Sequence, residues 1–456
     1  MTMSEYHLPL NTPRVTTQTA DERDLPARQS RIGLSLEERD PLIAKRLSAE
    51  LDRQQRQIEL IAPKNYVSRA VSQAHSSVTV QTTTEGYPGK RVHAGMANMD
   101  AIEELAIKRA RDIFRCGYAN VQPHSGSQAN LAVYFAFLEP GDQVLSLALK
   151  AGGHLTHGLS SNVSGRWFRS AEYDVDPDTG LIDYESAEWM AKQVRPRLIV
   201  TGASSYPRVI DFARLRSIAD SVDAILLADI AHISGLVAAG VHPSPFPHAH
   251  VVSTTTNKNL RGPRGGLLLA HEEFGKKLDR ALFPGVQGGP IAELICAKAV
   301  AFGEAAEPEF VDYGHAVVDN ARTLATSLAD RGYRIVTGGT DTPLVVVDLR
   351  PQGLTGAVAE RSLEAAGITC NRNLVPGDTA APAITSGLRF GTSAITTRGL
   401  RRTEVTVVAG LIADVLDGLV SSSDGNMATE QRVAKGVEEL TAQFPIGLPG
   451  GAWEVA

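Results

Sequence analysis

Lys258 is the only lysine in the stretch VVSTTTNKNLRGPRGGLLL, residues 251–269. Four hydroxyl residues, Ser253, Thr254, Thr255 and Thr256, precede it, and a basic glycine turn from Arg261 to Gly266 follows. A lysine shielded from water loses its proton near neutral pH and becomes a nucleophile suited to Schiff-base chemistry. Hydroxyls and lysine together can hold a phosphate and a carbonyl, and pyridoxal phosphate carries both. The competing reading is a solvated lysine on a surface turn. The rest of the chain has to decide between them.

Other chemistry-bearing residues are scattered along the chain. EGYPGKR at Glu85 is a glycine-proline loop with one carboxylate and two cations. Ser125, Gly126 and Ser127 stand at the start of an expected helix, where backbone N–H groups can approach a phosphate; a plain helix cap would look the same. Asp229 closes an apolar run, with His232 three residues on. Ligands of α/β sheets gather at the carboxyl ends of strands, which suits a catalytic carboxylate, although a cap is the alternative. His154 and His157, and His248 and His250, have no accompanying carboxylate or cysteine spacing, so no metal is expected.

The elements that must position these groups alternate. Apolar strands are expected over 118–122, 143–149, 197–202, 224–228, 250–253 and 266–270, with helical segments between them. Near-continuous apolar strands of this kind imply a mostly parallel sheet covered on both faces. Asp40 and Pro41 start a helix expected to reach about Ile61, and Asp100 is expected to cap another. A long helix over about 309–331 and strands over 333–336 and 344–348 open a smaller C-terminal part. The expected fold class is therefore α/β, with a mostly parallel sheet in a large domain and a smaller α+β domain. Expected boundaries are 1–60 for an N-terminal arm and helix, 61–307 for the large domain and 308–456 for the small one.

Composition fits that frame. The chain has 456 residues, 43% hydrophobic and 21% charged, with a net charge of -6, an ordinary globular make-up. Mild acidity argues against nucleic acid as the partner. Three separated cysteines without redox spacing point to a reducing compartment, taken as the cytoplasm. No apolar run reaches the roughly 18 residues of a membrane span.

With these motifs laid out in order, the chain resembles serine hydroxymethyltransferase, over roughly residues 39 to 445. The stretches that carry the resemblance are EGYPGKR at Glu85, NVQPHSGSQAN at Asn120, GGHLTHG at Gly152, the Lys258 loop and FPGVQGGP at Phe283. The resemblance implies pyridoxal 5'-phosphate fold type I, the aspartate aminotransferase-like arrangement, with tetrahydrofolate as co-substrate. It implies that Lys258 bonds the cofactor, Asp229 pairs with its pyridine nitrogen, and His154 stacks on its ring. His232 and Ser204 would lie near the 3-oxygen. Ser125, Gly126 and Ser127 would hold the phosphate, assisted by Gly288 and Gly289 of a second subunit. Arg389 would grip the substrate carboxylate as a bidentate fork. Glu85, also from the neighbour, would be the acid/base near the folate one-carbon unit. Leu149, Gly153, Leu155 and Asn373 match folate-contacting positions, and Arg264 matches a support for the lysine loop. Shared sites imply a homodimer or a tetramer.

The chain also departs from the family's pattern. Thr83 stands where a tyrosine is usual, Val92 and His93 replace a tyrosine pair, Pro63 and Lys64 replace a serine-glutamate pair, Asn257 replaces histidine, and Lys150 and Ala151 replace alanine-histidine. Tyrosine to threonine at residue 83 opens space beside the substrate carbon, with His93 in support. That space suits a quaternary amino acid, so the expected activity is that of the α-methylserine hydroxymethyltransferase branch, yielding D-alanine. The rivals are ordinary serine hydroxymethyltransferase, a folate-independent aldolase or transaldolase of β-hydroxy amino acids, and a binding protein that kept the fold.

Overall fold

The computed structural model describes residues 33–421 and 425–447. The expected N-terminal arm falls outside the described residues up to residue 32. The chain parts into two compact units, the first ending at Arg53 and the second beginning at Gln54. In the first, Ser35 and Glu38 form a capping box on the helix Leu36–Arg39, and Asp40 Oδ1 accepts from Ile43 N at the start of the helix Pro41–Arg56.

That helix stops short of the expected Ile61 because the next residues are a strand, β1 (Ile58–Glu59). Further along, β2 (Gly86–Tyr87) and β3 (Lys90–Arg91) form a short ribbon. The strands of the large sheet are β4 (Tyr118–Asn120), β5 (Gln143–Leu147), β6 (Arg169–Tyr173), β7 (Leu198–Thr201), β8 (Ile225–Asp229), β9 (Val251–Thr255) and β10 (Gly266–Ala270). The C-terminal part contributes β11 (Arg334–Ile335), β12 (Leu344–Asp348), β13 (Ile368–Thr369), β14 (Asn371–Asn373) and β15 (Gly387–Gly391).

The seven-stranded sheet has the order β4-β10-β9-β8-β7-β5-β6. From β9 through β6 all neighbours are parallel, and only β10 runs against its two partners. Alternate residues feed two cores: Leu226 and Ala228 enter one, Leu227 the other, and Val252 and Val251 divide the same way. Burial on both faces explains the near-continuous apolar runs. Edge strand β6 escapes that rule. Its sequence is polar, it is mostly exposed, and hydrophobic patterning does not find it.

A separate core surrounds the four-stranded sheet β11-β12-β15-β14. Ile58 and Leu60, at the end of the segment expected to be arm and helix, are buried in this core, and β1 pairs in parallel with β13. The helix Pro308–Asp330 joins the two parts. Phe310 and Tyr313 pack in the sheet core, while Leu324 and Leu328 pack in the C-terminal one. Asp100 differs from expectation, because its helix starts earlier, at Ala97. Its carboxylate instead accepts from Gly89 N at 2.9 Å and Arg91 Nε at 2.8 Å. Among the described residues no helix is long and apolar enough to cross a membrane.

Candidate active site

Lys258 sits in the connection between β9 and β10, whose base is closed by Thr256 N donating to Gly265 O at 3.0 Å. Thr256 Oγ1 donates to Pro263 O at 2.6 Å, and Asn65 Nδ2 donates to Lys258 O at 2.9 Å, so the loop is pinned on both sides of the lysine. Arg261 takes a left-handed conformation (φ 61°) and stacks 4.8 Å from the Tyr313 ring. The lysine therefore does not wave on a surface turn. Burial pulls its pKa down to about 8, Arg389 and Arg264 add to the fall, and Asp229 opposes it.

Asp229 is the last residue of β8. Its Oδ2 lies 3.0 Å from His157 Nε2 and accepts from Asn130 Nδ2 at 2.9 Å, while Oδ1 accepts from Ala231 N at 3.1 Å. Burial alone would raise its pKa. The His157 hydrogen bond, aided by the Lys258 ammonium, outweighs that and holds it well below the usual carboxylate range. Burial draws His154 down to about 4, and drives His232 well below the ordinary histidine value, with Lys258 and Arg389 adding to the effect. Both rings are neutral at pH 7. His154 Nδ1 is anchored 2.7 Å from Thr156 Oγ1.

These groups face one cavity of about 660 Å³ at the carboxyl ends of β5, β7, β8 and β9, where α/β sheets place ligands. Ser125, Gly126 and Ser127 line it at the start of the helix Gly126–Phe137. Gly126 leaves the approach open, since a Cβ there would lie 2.7 Å from Thr255 Cγ2. Thr255 Oγ1, in a residue on the same wall, is buried without a partner among the described residues. An orphaned hydroxyl, a helix start on the cavity wall, where Ser125 Oγ accepts from Ser127 N at 3.2 Å, and a lowered lysine fit a phosphate-bearing aldehyde such as pyridoxal phosphate.

Arg389, on β15, reaches the cavity from the C-terminal sheet. Its Nη1 donates to Ser204 O at 2.6 Å and its Nε to Asn371 Oδ1 at 3.1 Å, while Nη2 has no hydrogen-bond partner among the described residues. Ser204, Leu149, Gly153, Leu155 and Asn373 also lie on the wall, as does Arg264. Leu149 and Leu155 are exposed, giving the mouth an apolar rim.

Five expected site residues are not on that wall: Glu85, Thr83, His93, Gly288 and Gly289. They gather elsewhere in the same chain. Glu85 packs on Gly289, where a Cβ would meet Glu85 Cγ at 2.9 Å, and His93 Nε2 lies 3.7 Å from Glu85 Oε2. Thr83 bridges to Ile291. Arg91 Nη1 donates to Thr84 O at 3.0 Å and Gly86 O at 2.7 Å, gripping the backbone on both sides of Glu85. The cluster is open, with the Glu85 and His93 side chains 37% and 48% exposed.

Pair contacts missing from the linear reading surround Asp229. His157 and Asn130 hold it, and the only local signals are the His-x-x-His spacing and the asparagine in SGSQAN. The histidine pair, read as lacking a carboxylate, receives one from β8, so donor atoms of His154, His157 and Asp229 lie within 4.8 Å of one another. Asp229 Oδ2 is hydrogen-bonded by Asn130 as well as facing His157, an arrangement that orients the carboxylate. A second cavity of about 480 Å³ lies beside Tyr87, Tyr118 and Asp279. There Tyr118 OH and Asn120 Nδ2 both donate to Asp279 Oδ1, and the lysine, arginine and histidines of the main cavity are absent from its wall.

A lysine held between β9 and β10, facing an ionised aspartate at the end of β8, places the molecule among the fold type I pyridoxal phosphate enzymes. Residues 36–412 match the family model described as serine hydroxymethyltransferase. The protein of that name from Acidiphilium cryptum (strain JF-5) is 54% identical over 413 residues, covering 90% of this chain and 96% of its own. Serine hydroxymethyltransferase from Caulobacter sp. (strain K31) is 55% identical over 416 residues, 91% of this chain and 96% of its own. The chain belongs to the serine hydroxymethyltransferase family. It is a pyridoxal phosphate-dependent hydroxymethyltransferase with tetrahydrofolate as co-substrate.

Proposed function

We propose that this enzyme moves the hydroxymethyl group between serine and tetrahydrofolate, with glycine as the other amino acid. The observation that carries the reading is that Lys258, Asp229 and Arg389 face a single cavity with a phosphate-ready helix start. Pyridoxal phosphate bound there supplies an electron sink that loosens bonds at the amino acid's α-carbon. Asp229, ionised, keeps a proton at the ring nitrogen. Lys258, with a pKa of about 8, offers a useful fraction of neutral amine at physiological pH. His154, neutral, lies against the ring without adding charge, and His232 and Ser204 serve its 3-oxygen. Arg389 fixes the substrate carboxylate with the Nη2 edge left by Ser204 and Asn371. Glu85 of a second copy moves the proton at the one-carbon unit, and Gly288 and Gly289 of that copy complete the phosphate site. In this reading the working form is at least a dimer, placed in the cytoplasm.

The names of the relatives support serine over the α-methylserine expected from the sequence. One observation keeps α-methylserine as a second reading. Thr83 is small and exposed in the Glu85 cluster, two residues from the proposed acid/base. Turnover of purified protein with serine and with α-methylserine, each with and without tetrahydrofolate, separates the readings. Preference for serine with folate supports the first and preference for α-methylserine the second. Equal rates without folate would favour an aldolase.

A further inference from the structure

Lys298, in the helix Ala292–Glu304, is 1% exposed and has no part in the chemistry above. Its Nζ donates to three main-chain carbonyls, Val121 O at 2.6 Å, Gly266 O at 2.9 Å and Pro123 O at 3.1 Å. Three acceptors match the three protons of an ammonium. Burial pulls the amine down to about 7, and Glu103 opposes the fall; with every proton directed at a carbonyl oxygen, the charged form is the one this geometry holds.

Those carbonyls fall where the sheet opens. The ladder between β4 and β10 ends with Asn120 opposite Leu268, and beyond it Gly266 N donates across the gap to Pro123 O at 3.0 Å. From the opening, one strand runs on to Ser125, Gly126 and Ser127. The other leads back through Gly265 and Arg264 to Lys258. Room for the ammonium comes from Gly265, where a Cβ would lie 2.4 Å from Lys298 Cε.

We infer that Lys298 is a positioning residue of the cofactor site, clamping the phosphate-holding turn to the loop that carries Lys258. Without it, Val121 O and Gly266 O would lose this donor in a dry space and Pro123 O would keep only Gly266 N, and the two strand ends would part to reach water. The clamp rests on the assignment of Ser125, Gly126 and Ser127 to the phosphate and of Lys258 to the carbonyl.

The test is a titration of cofactor-free protein with pyridoxal phosphate, read as Kd, beside kcat at saturating cofactor and the thermal midpoint. Lys298→Met keeps the length of the side chain and removes the donors, and should weaken cofactor binding by ~10-fold or more. Gly265→Ala, which displaces the ammonium without removing it, should weaken binding in the same direction. Phe302→Leu, a core change on the same helix, serves as the control for general loosening. Binding by Lys298→Met within threefold of wild type overturns the inference. So does an equal loss of affinity in Phe302→Leu at a matched thermal midpoint. If Lys298→Met does not fold, Gly265→Ala decides by the same two criteria. Wild-type protein that binds no pyridoxal phosphate strikes at the cofactor assignment instead.

Discussion

The cavity around Lys258 and the patch around Glu85 belong to one chain but are finished to different degrees. Around Lys258 the titratable groups are withdrawn from water and wedged by named partners: His157 and Asn130 on Asp229, Thr156 on His154, Ser204 and Asn371 on Arg389. Desolvation there pulls Lys258, His154 and His232 well below their ordinary pKa values, while Asp229 is held low against its own burial by the His157 hydrogen bond. At the Glu85 patch Arg91 holds the backbone on either side of the carboxylate, but among the described residues nothing encloses the side chain, which is 37% exposed. Val92 beside it is 62% exposed and Ile291 is 37% exposed. A carboxylate needs enclosure to act as a selective acid/base. The contrast teaches that a single chain already encloses the Lys258 groups, whereas it leaves the Glu85 patch open to solvent.

The largest effect should come from the enclosed Lys258 cavity. Lys258→Ala is expected to lower kcat by at least ~10⁴-fold, the upper end of what a positioned proton-transfer group supplies. Borohydride treatment should no longer leave the cofactor attached to the chain. Attachment that persists would move the bond to another lysine.

Glu85→Gln should cut folate-dependent turnover by roughly 10²- to 10⁴-fold while leaving pyridoxal phosphate affinity near wild type. Mixing this variant with Lys258→Ala sharpens the comparison. If the patch serves a neighbour, refolded equal mixtures regain about a quarter of wild-type activity, since random pairing yields one intact site per mixed dimer. Mixtures as inactive as their parents would mean both regions work within one chain.

Covalent capture of pyridoxal phosphate by cofactor-free protein should follow the neutral fraction of Lys258. Its rate is expected to rise with pH, through a midpoint near 8, and then level off. Stopped-flow absorbance at several pH values reads this directly. A midpoint near that of an ordinary lysine would mean that the amine is hydrated.

Thr83→Tyr probes the open patch. If a second copy covers the patch, as in the proposed dimer, an added ring there costs roughly 1–3 kcal/mol, which is about five- to 150-fold in kcat/KM. That loss should fall on α-methylserine and spare serine. A wild type that already prefers serine, or a ratio that does not move, removes α-methylserine from consideration.

The smallest effect is expected at His93. Its contact with Glu85 is long, at 3.7 Å, and about half exposed, and exposed pairs of this kind contribute roughly 0–1 kcal/mol. His93→Asn should therefore change folate-dependent kcat less than about fivefold. A larger loss would give the imidazole a direct part in proton transfer.

Much of this was legible along the chain, for local reasons. Apolar runs of strand length reveal a sheet buried on both faces, because each residue in such a strand meets a core whichever way it points. Lys258 stands out as an isolated lysine behind a row of hydroxyls, and Asp229 as a carboxylate ending an apolar strand. Asp40 caps its helix as read, while Asp100 does not, since the helix begins three residues earlier and an arginine claims the carboxylate.

What only the tertiary structure decided is who meets whom. His157 finds Asp229 because β5 and β8, well apart in sequence, end on the same side of the sheet. Lys298 was unremarkable in the sequence, a lysine in an alanine-rich helix, until the fold aimed it at three carbonyls where β4 and β10 separate. Nor could residue spacing tell that Glu85, Gly288 and Gly289 collect together away from the Lys258 cavity. Periodicity and caps are encoded within a few residues, whereas these contacts depend on strand order and on where each strand stops. That order is settled by burying apolar faces over the whole chain, not by any segment of it.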